Sequence, residues 1–225
     1  MSHYERQDHY YRKAKAQGLP SRASFKIEEL LKKYPLVKPN FWVMDLGAAP
    51  GGWTFFLTKC VGNLGRVLAC DLEPLSQTKS TNLEFIQGDL THPSIEQKIN
   101  QYLGTRKIDS IFSDMSPKLS GIQFKDAFLS FELASLAFRY AQKYLKKGGS
   151  LVFKIFPGKE SDEFCKQLKT HFEKVHIIRP KATRTTSREQ YVVGLNYEEV
   201  FSKPEEATRN HFAVVEGASA GFEKT

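Results

Sequence analysis

The stretch Phe41-Trp-Val-Met-Asp-Leu-Gly-Ala-Ala-Pro-Gly-Gly-Trp53 decides the fold. The run Phe41 to Asp45 is short, apolar and rich in strand formers, and a glycine-rich turn stops it, so it reads as a buried strand. A helix is expected next, from about Thr54 to Val61. Strand, tight turn and helix together open a βαβ unit, and the rest of the chain repeats the alternation.

Arg66 to Asp71 reads as a second strand and Leu83 to Ile86 as a short third. A helix around 94–103 leads to a strand over Ile108 to Ser113. Over 125–147, Leu129, Leu133, Leu136, Ala137, Tyr140, Tyr144 and Leu145 fall at helical spacing, and Lys146-Lys-Gly-Gly149 is a stop signal. Ser150 to Phe156 is another strand and 162–173 another helix. Val175 to Ile178 and Gln190 to Leu195, with a short connection, are predicted to pair antiparallel. Upstream, 21–34 reads as a helix with Ala23, Ile27, Leu30, Leu31 and Tyr34 on one stripe and Ser21 as its cap. Lys26 sits at the margin of that stripe, free to face a cleft. The expected fold is α/β and Rossmann-like: a mostly parallel seven-stranded sheet with one antiparallel strand and helices on both faces. Residues 1–20 form a basic, aromatic extension, 21–200 one domain, and 201–225, lacking apolar periodicity, a loose tail.

Length and composition agree with one soluble domain: 225 residues, 40% hydrophobic and 26% charged. A net charge of +8 favours a polyanionic partner such as nucleic acid. Cys60, Cys70 and Cys165 show no CxxC spacing, and the six histidines make no HExxH pattern. Neither disulfides nor a metal site is therefore expected. No apolar run is long enough to span a bilayer and the first residues are no secretory signal, so a cytoplasmic location is expected; the expected oligomeric state is a monomer.

In such a sheet, ligands bind at the carboxyl ends of the strands where strand order reverses. Gly47, Gly51 and Gly52 follow the first strand, where a Cβ would keep a ligand from the backbone. Asp71 ends the second strand, placed to accept both hydroxyls of a ribose, and Asp89, after the third, is placed to meet an adenine amino group. The spacing Gly47-x-x-x-Gly51-Gly52 departs from GxGxxG, and Pro50 removes a backbone donor that a pyrophosphate would use, which disfavours NAD. GKS and GKT are absent. S-adenosylmethionine has adenine and ribose without phosphate and fits better. Asp45, Pro50, Leu72, Leu90, Trp53 and Asp114 complete the candidate cofactor set.

Four charged residues stand in contexts that look built around them: Ser-Arg-Ala-Ser-Phe-Lys26, Phe-Ser-Asp114-Met-Ser-Pro, Val-Phe-Lys154-Ile-Phe-Pro-Gly and Ser-Arg-Glu189-Gln-Tyr. Two lysines and two carboxylates beside a cofactor suit activation of a weak nucleophile such as a ribose hydroxyl. Lys154 is the candidate base. Burial and the cation of Lys26 would favour its neutral amine, whereas Asp114 and Glu189 would favour an ammonium that orients the hydroxyl; both roles stay open. The strand end Asp114-Met-Ser-Pro117 differs from the Asn- or Asp-Pro-Pro-Tyr loop of amine-directed methyltransferases, so a hydroxyl acceptor is preferred. Arg12, Lys13, Lys15 and Arg22, and Arg179, Lys181, Arg184 and Arg188, are candidate phosphate contacts, with Tyr10 and Tyr11 as stacking rings.

These blocks, with Asp8-His-Tyr-Tyr-Arg-Lys-Ala-Lys-Ala-Gln-Gly18 and Ser113-Asp-Met-Ser-Pro-Lys-Leu-Ser-Gly121, resemble the FtsJ/RrmJ family of ribosomal RNA 2′-O-methyltransferases from about residue 8 to 196. The resemblance implies S-adenosylmethionine as cofactor and a ribose of large-subunit ribosomal RNA, often a uridine, as substrate. It also implies a catalytic tetrad of Lys26, Asp114, Lys154 and Glu189 with Lys154 as proton acceptor, and cofactor contacts at Gly51, Trp53, Asp71, Asp89 and Asp114. Pro157 stands where a polar residue is expected, and the tail has no family counterpart. A tRNA or mRNA-cap methyltransferase is the alternative within the same chemistry. A catalytically idle ribosome assembly factor is the alternative outside it, and a nicotinamide-dependent oxidoreductase is more distant.

Overall fold

The computed structural model describes Arg12, Ala16 and residues 22–77 and 79–199. Lys13, Lys15, Tyr10, Tyr11, the Ser21 cap and the tail lie outside the described residues. In chain order the elements are α1 (Ala23–Lys33), β1 (Trp42–Leu46), α2 (Thr54–Val61), β2 (Arg66–Asp71), β3 (Leu83–Gln87), α3 (Pro93–Leu103), β4 (Ile108–Ser113), α4 (Gln123–Tyr144), β5 (Leu145–Ile155), α5 (Lys159–Leu168), β6 (Phe172–Ile178) and β7 (Gln190–Tyr197). One seven-stranded sheet runs in the order β3-β2-β1-β4-β5-β7-β6. Only β7 is antiparallel to its neighbours, β5 and β6, as expected. Strand order reverses between β1 and β4, so a crevice opens past their carboxyl ends.

Side chains alternate across a strand, and here the alternation sorts the core into two layers. Val43, Val67, Phe112, Val152, Tyr191 and Val193 face α1 and α2, packing with Ile27, Leu30 and Leu57. Their neighbours Met44, Leu68, Ile111, Leu151, Phe153 and Val192 face α3, α4 and α5. Both layers are almost fully buried, with Val43, Met44, Phe112 and Phe153 at 0% exposure. The same period has a consequence at the strand ends. Asp114 lies two residues past Phe112, Lys154 two past Val152 and Glu189 two before Tyr191, so all three are directed to the face that carries α1 and Lys26. Register brings them level: Ser113 pairs with Phe153, and Lys154 with Tyr191.

Several boundaries differ from the sequence reading. β5 begins at Leu145, five residues early, and α4 stops at Tyr144. Lys146 forms an ion pair with Asp109, whose other oxygen accepts from Trp42 N at 2.7 Å, so the chain is drawn alongside β4 before the glycines. α5 ends at Leu168, not near 173. Phe172 instead starts β6, because its ring packs on Tyr197 and fills the space beside Gly194. The residue before α1 is Arg22, in helical conformation and without a side-chain cap bond. All three cysteines are free. Among the described residues no helix is long and apolar enough to cross a membrane.

Candidate active site

Lys26, on the first turns of α1, is held over the sheet by two hydrogen bonds from its helix to the glycine turn. Trp53 Nε1 donates to Ala23 O at 2.8 Å, and Ser24 Oγ donates to Gly52 O at 2.8 Å. The Lys26 amine lies 2.5 Å from Glu189 Oε1, an ion pair with both side chains nearly buried. It also donates to Tyr191 Oη at 3.2 Å. The phenol in turn donates to Asp114 Oδ1 at 2.7 Å. Lys154 Nζ closes the series, 3.1 Å from Asp114 Oδ1 and donating to the Asp114 carbonyl at 2.7 Å. The four residues singled out by their contexts therefore form one run, Glu189–Lys26–Tyr191–Asp114–Lys154. Three successive contacts separate the two amines, less than the width of a helix.

Burial opposes the charge on Asp114, but Lys154, Lys26 and the Tyr191 hydrogen bond outweigh it and hold the carboxyl below its ordinary range. Burial, then the charges of Asp114 and Glu189, push the Tyr191 phenol far above its ordinary value, so it is a neutral donor. In the sequence Tyr191 carries no role of its own and stands only as the last residue of the Ser-Arg-Glu189-Gln-Tyr block. Its place opposite Lys154 in β7 is the signal that marks it.

Past the ends of β1, β2 and β3 lies a cavity of about 190 Å³, lined by Gly47, Asp71, Leu72, Gly88, Asp89 and Leu90, with Met115, Ser116 and Leu133 closing it. No lysine or arginine is among its lining residues. Asp71 takes backbone donors at both oxygens, Ala49 N and Glu73 N, each at 2.8 Å. A carboxylate has about four acceptor sites, so two remain for ribose hydroxyls. Asp89 Oδ1 is taken by the N–H and hydroxyl of Thr91, which keep the exposed carboxyl ionised. Asp45 is wholly buried beneath the turn: Thr54 Oγ1 donates to Oδ2 at 2.7 Å, while Oδ1 has no partner. Burial, with repulsion from Asp114 and Asp71, pushes its carboxyl up to about 7.

Gly47 lines the cavity, and Gly47 and Gly51 also have a packing role within the turn. A Cβ on Gly47, at φ +74°, would meet Met115 Cγ at 2.6 Å, and one on Gly51 would clash with the Phe55 ring. They let the turn pack against its own protein. Pro50, Gly51 and Gly52 stand off the cavity wall, as does Trp53, buried at 2% exposure against Tyr191 and Phe112. Met115 and Ser116, from the Asp114-Met-Ser-Pro117 strand end, also line the cavity, as do Gly88 and Thr91, which are not among the candidate cofactor contacts.

A second hollow, a cleft of about 440 Å³, reaches Glu189 from the other side and is bordered by Arg22, Leu119, Phe156, Arg184 and Arg188. Ser116, two residues past Asp114, lies on the wall of both cavity and cleft, so the two meet beside the buried run. Arg179 is not on the cleft wall. Its guanidinium donates to Arg184 O and Ser187 O and shapes the loop that carries the other arginines. Lys181 anchors the same loop by its backbone N–H, which donates to Glu29. Arg12 is exposed.

Comparison with known proteins agrees with this arrangement. A family model described as FtsJ-like methyltransferase matches residues 19–197. A protein of Francisella tularensis subsp. novicida named Ribosomal RNA large subunit methyltransferase E is 43% identical over 195 residues, 87% of this chain and 94% of its own length. Its namesake in Francisella philomiragia is 42% identical over 84% of this chain and 91% of its own. A solved structure from Plasmodium falciparum, assigned to the ribosomal RNA methyltransferases, superimposes with a TM-score of 0.70 at 29% identity, covering 79% of this chain and 98% of that one. The chain belongs to the FtsJ-like methyltransferase family.

Proposed function

We propose that this methyltransferase moves the methyl group of S-adenosylmethionine to a ribose 2′-hydroxyl of large-subunit ribosomal RNA, the nucleoside being a uridine, and that it acts as a cytoplasmic monomer. The cavity fits that cofactor: apolar Leu72 and Leu90 can flank a base, Asp71 and Asp89 can accept from sugar and amine, and no cation awaits a phosphate. The cofactor supplies an electrophilic methyl on a sulfonium, so the protein needs only to align the acceptor and manage one proton.

The observation that carries this reading is the buried run of contacts from Glu189 to Lys154, set where cavity and cleft meet. Asp114 engages Lys154 twice, through its carbonyl and its carboxylate, which fixes the amine and leaves its remaining position for the substrate oxygen. Lys154 must first release its own proton; in that neutral form it takes the hydroxyl proton at Nζ as the new carbon–oxygen bond forms and the methyl–sulfur bond breaks. Asp114, one contact away, stabilises the ammonium that results. Lys26 and Glu189 hold Asp114 and the cleft wall in place through Tyr191. Arg22, Arg184 and Arg188 supply phosphate contacts along the cleft, which position RNA without reading its sequence.

The test uses large ribosomal subunits from cells lacking this protein and cofactor labelled in its methyl group. Label should enter ribose of the large-subunit RNA. Lys154→Ala should abolish transfer while calorimetry still records cofactor binding. Full transfer by that variant would overturn the assignment of Lys154, and label appearing only on tRNA or capped mRNA would replace the substrate.

A further inference from the structure

Beyond the cleft, the start of α4 carries an aromatic face that nothing in the described fold covers. Phe124 is 79% exposed and Phe128 46% exposed, one turn apart and therefore on one face of the helix. Leu119 and Ile122 just before them are also exposed. Phe128 is anchored from behind: its ring sits 6.2 Å from Phe131, which meets Phe164 of the core edge-on. The platform is rigid on its inner side and bare on its outer side. Solvent-facing phenylalanines in pairs mark a contact surface.

Charge says what kind of contact. The two rings border a hollow of about 560 Å³ together with Lys125, Lys159 and Arg188; Glu160 is the acid on that wall. Aromatic faces interleaved with cations suit single-stranded nucleic acid, whose bases stack while its phosphates pair. Continuity says which nucleotides. Gln123 and Arg188 border both this hollow and the cleft at Glu189, and Arg188 Nη1 donates to Gln123 Oε1 at 2.9 Å between them. The opposite wall, Pro157 and Gly158, follows directly from the strand end that bears Lys154. Asp126 fixes the approach by accepting from Ser120 N, Ser120 Oγ and Gly121 N, which pins the loop before α4.

We propose that Phe124 and Phe128 form a stacking platform for unpaired bases of the substrate RNA that flank the methylated nucleotide. The proposal rests on RNA being the substrate and adds where the strand leaves the catalytic cleft. It also gives a role to the Pro157-Gly158 turn, which would limit the path of the strand on the far side.

The test compares Phe124→Ala, Phe124→Leu and Phe124→Trp, and the same changes at Phe128, in the full chain with undermethylated large ribosomal subunits. Stacking on a ring is lost on truncation, so each alanine should raise the KM for the RNA about 10- to 100-fold with cofactor affinity unchanged. Leucine, which keeps apolar area but no π face, should be nearly as poor, and tryptophan should match or exceed the parent. In Phe124→Trp, indole fluorescence should be quenched on adding a short oligouridylate. Unchanged KM in the alanine variants overturns the platform. Leucine performing as well as phenylalanine also overturns it, in favour of an apolar protein contact. If the parent protein methylates no RNA at all, the functional reading fails and the platform with it; parent activity with indifferent variants removes the platform alone.

Discussion

Asp45 and Asp114 stand at the ends of adjacent parallel strands and face the same side of the sheet, the first wholly buried and the second partly exposed, yet their carboxyls are displaced in opposite directions. Asp45 is pushed up to about 7 because burial is met by a single threonine hydroxyl and by two neighbouring acids. Asp114 is held low because Lys154, Lys26 and Tyr191 surround it. The difference divides the crevice by charge. Toward β1 and β2 the acids are met by hydroxyls and backbone N–H groups, with no lysine or arginine among the cavity's lining residues. Toward β5 and β7 the protein supplies every counter-charge itself, as it must if the group to be activated is an uncharged hydroxyl.

The largest effect should come from erasing that contrast on the paired side. Asp114→Asn leaves Lys154 and Lys26 buried beside a neutral amide, and breaking a buried ion pair by removing one partner costs about 3–5 kcal/mol. Methyl transfer under single-turnover conditions should fall roughly 1,000-fold, as expected when the carboxylate that aligns the proton acceptor Lys154 and stabilises its ammonium is lost. Thermal unfolding should report a parallel loss of stability. A variant with near-parental transfer would show that the pairing is structural and the chemistry lies elsewhere.

Asp45→Asn tests the unpaired side, with a smaller effect of opposite sign. In the parent, the folded state holds a proton on Asp45 between about pH 4 and 7 that the unfolded chain releases. Stability contributed by this group is thus complete below the unfolded value near 4 and declines by about 1.4 kcal/mol per pH unit until about 7. The asparagine variant has no such proton. Its stability relative to the parent, from denaturant titrations across pH, should rise between pH 4 and 7 and level off above. Parallel profiles would mean that the buried oxygen is compensated in solution.

The two sides also differ in how much of them the sequence disclosed. Asp114, Lys154 and Glu189 converge because strands alternate with period two, and that period is legible in the residues of Ile108 to Ser113 and Ser150 to Phe156 themselves. Asp71 and Asp89 follow from their strand ends in the same way. What stayed hidden depends on partners far away in the chain. Nothing in the glycine turn itself discloses that the Trp53 indole N–H goes to Ala23 O and its ring to Tyr191. Arg179 reads as one cation among several, although two carbonyls of its own loop take its guanidinium. The early start of β5 rests on Lys146 finding Asp109. Local pattern carries direction and periodicity; it does not carry the identity of a hydrogen-bond partner on another element of the fold.

Tyr191 is where the smallest and most discriminating change can be made. Its phenol is the bridge between the Lys26–Glu189 pair and the Asp114–Lys154 pair, accepting from one and donating to the other. Tyr191→Phe keeps the ring against Trp53 and removes only the bridge, so the fold should persist with a loss of about 1–2 kcal/mol. Asp114 then lacks one of the groups that hold its carboxyl low, and its folded-state value should move upward. Because a lowered carboxyl contributes stability present above its unfolded value and lost as pH falls through the folded one, the loss should start at the same pH in both proteins but be complete at a higher pH, and be smaller in total, in the variant. Transfer should weaken about tenfold, with the KM for cofactor unmoved. If the acid limb of the stability profile instead stays in place, the two pairs are independent, and Lys26 and Glu189 act on the RNA side of the cleft without reaching Asp114.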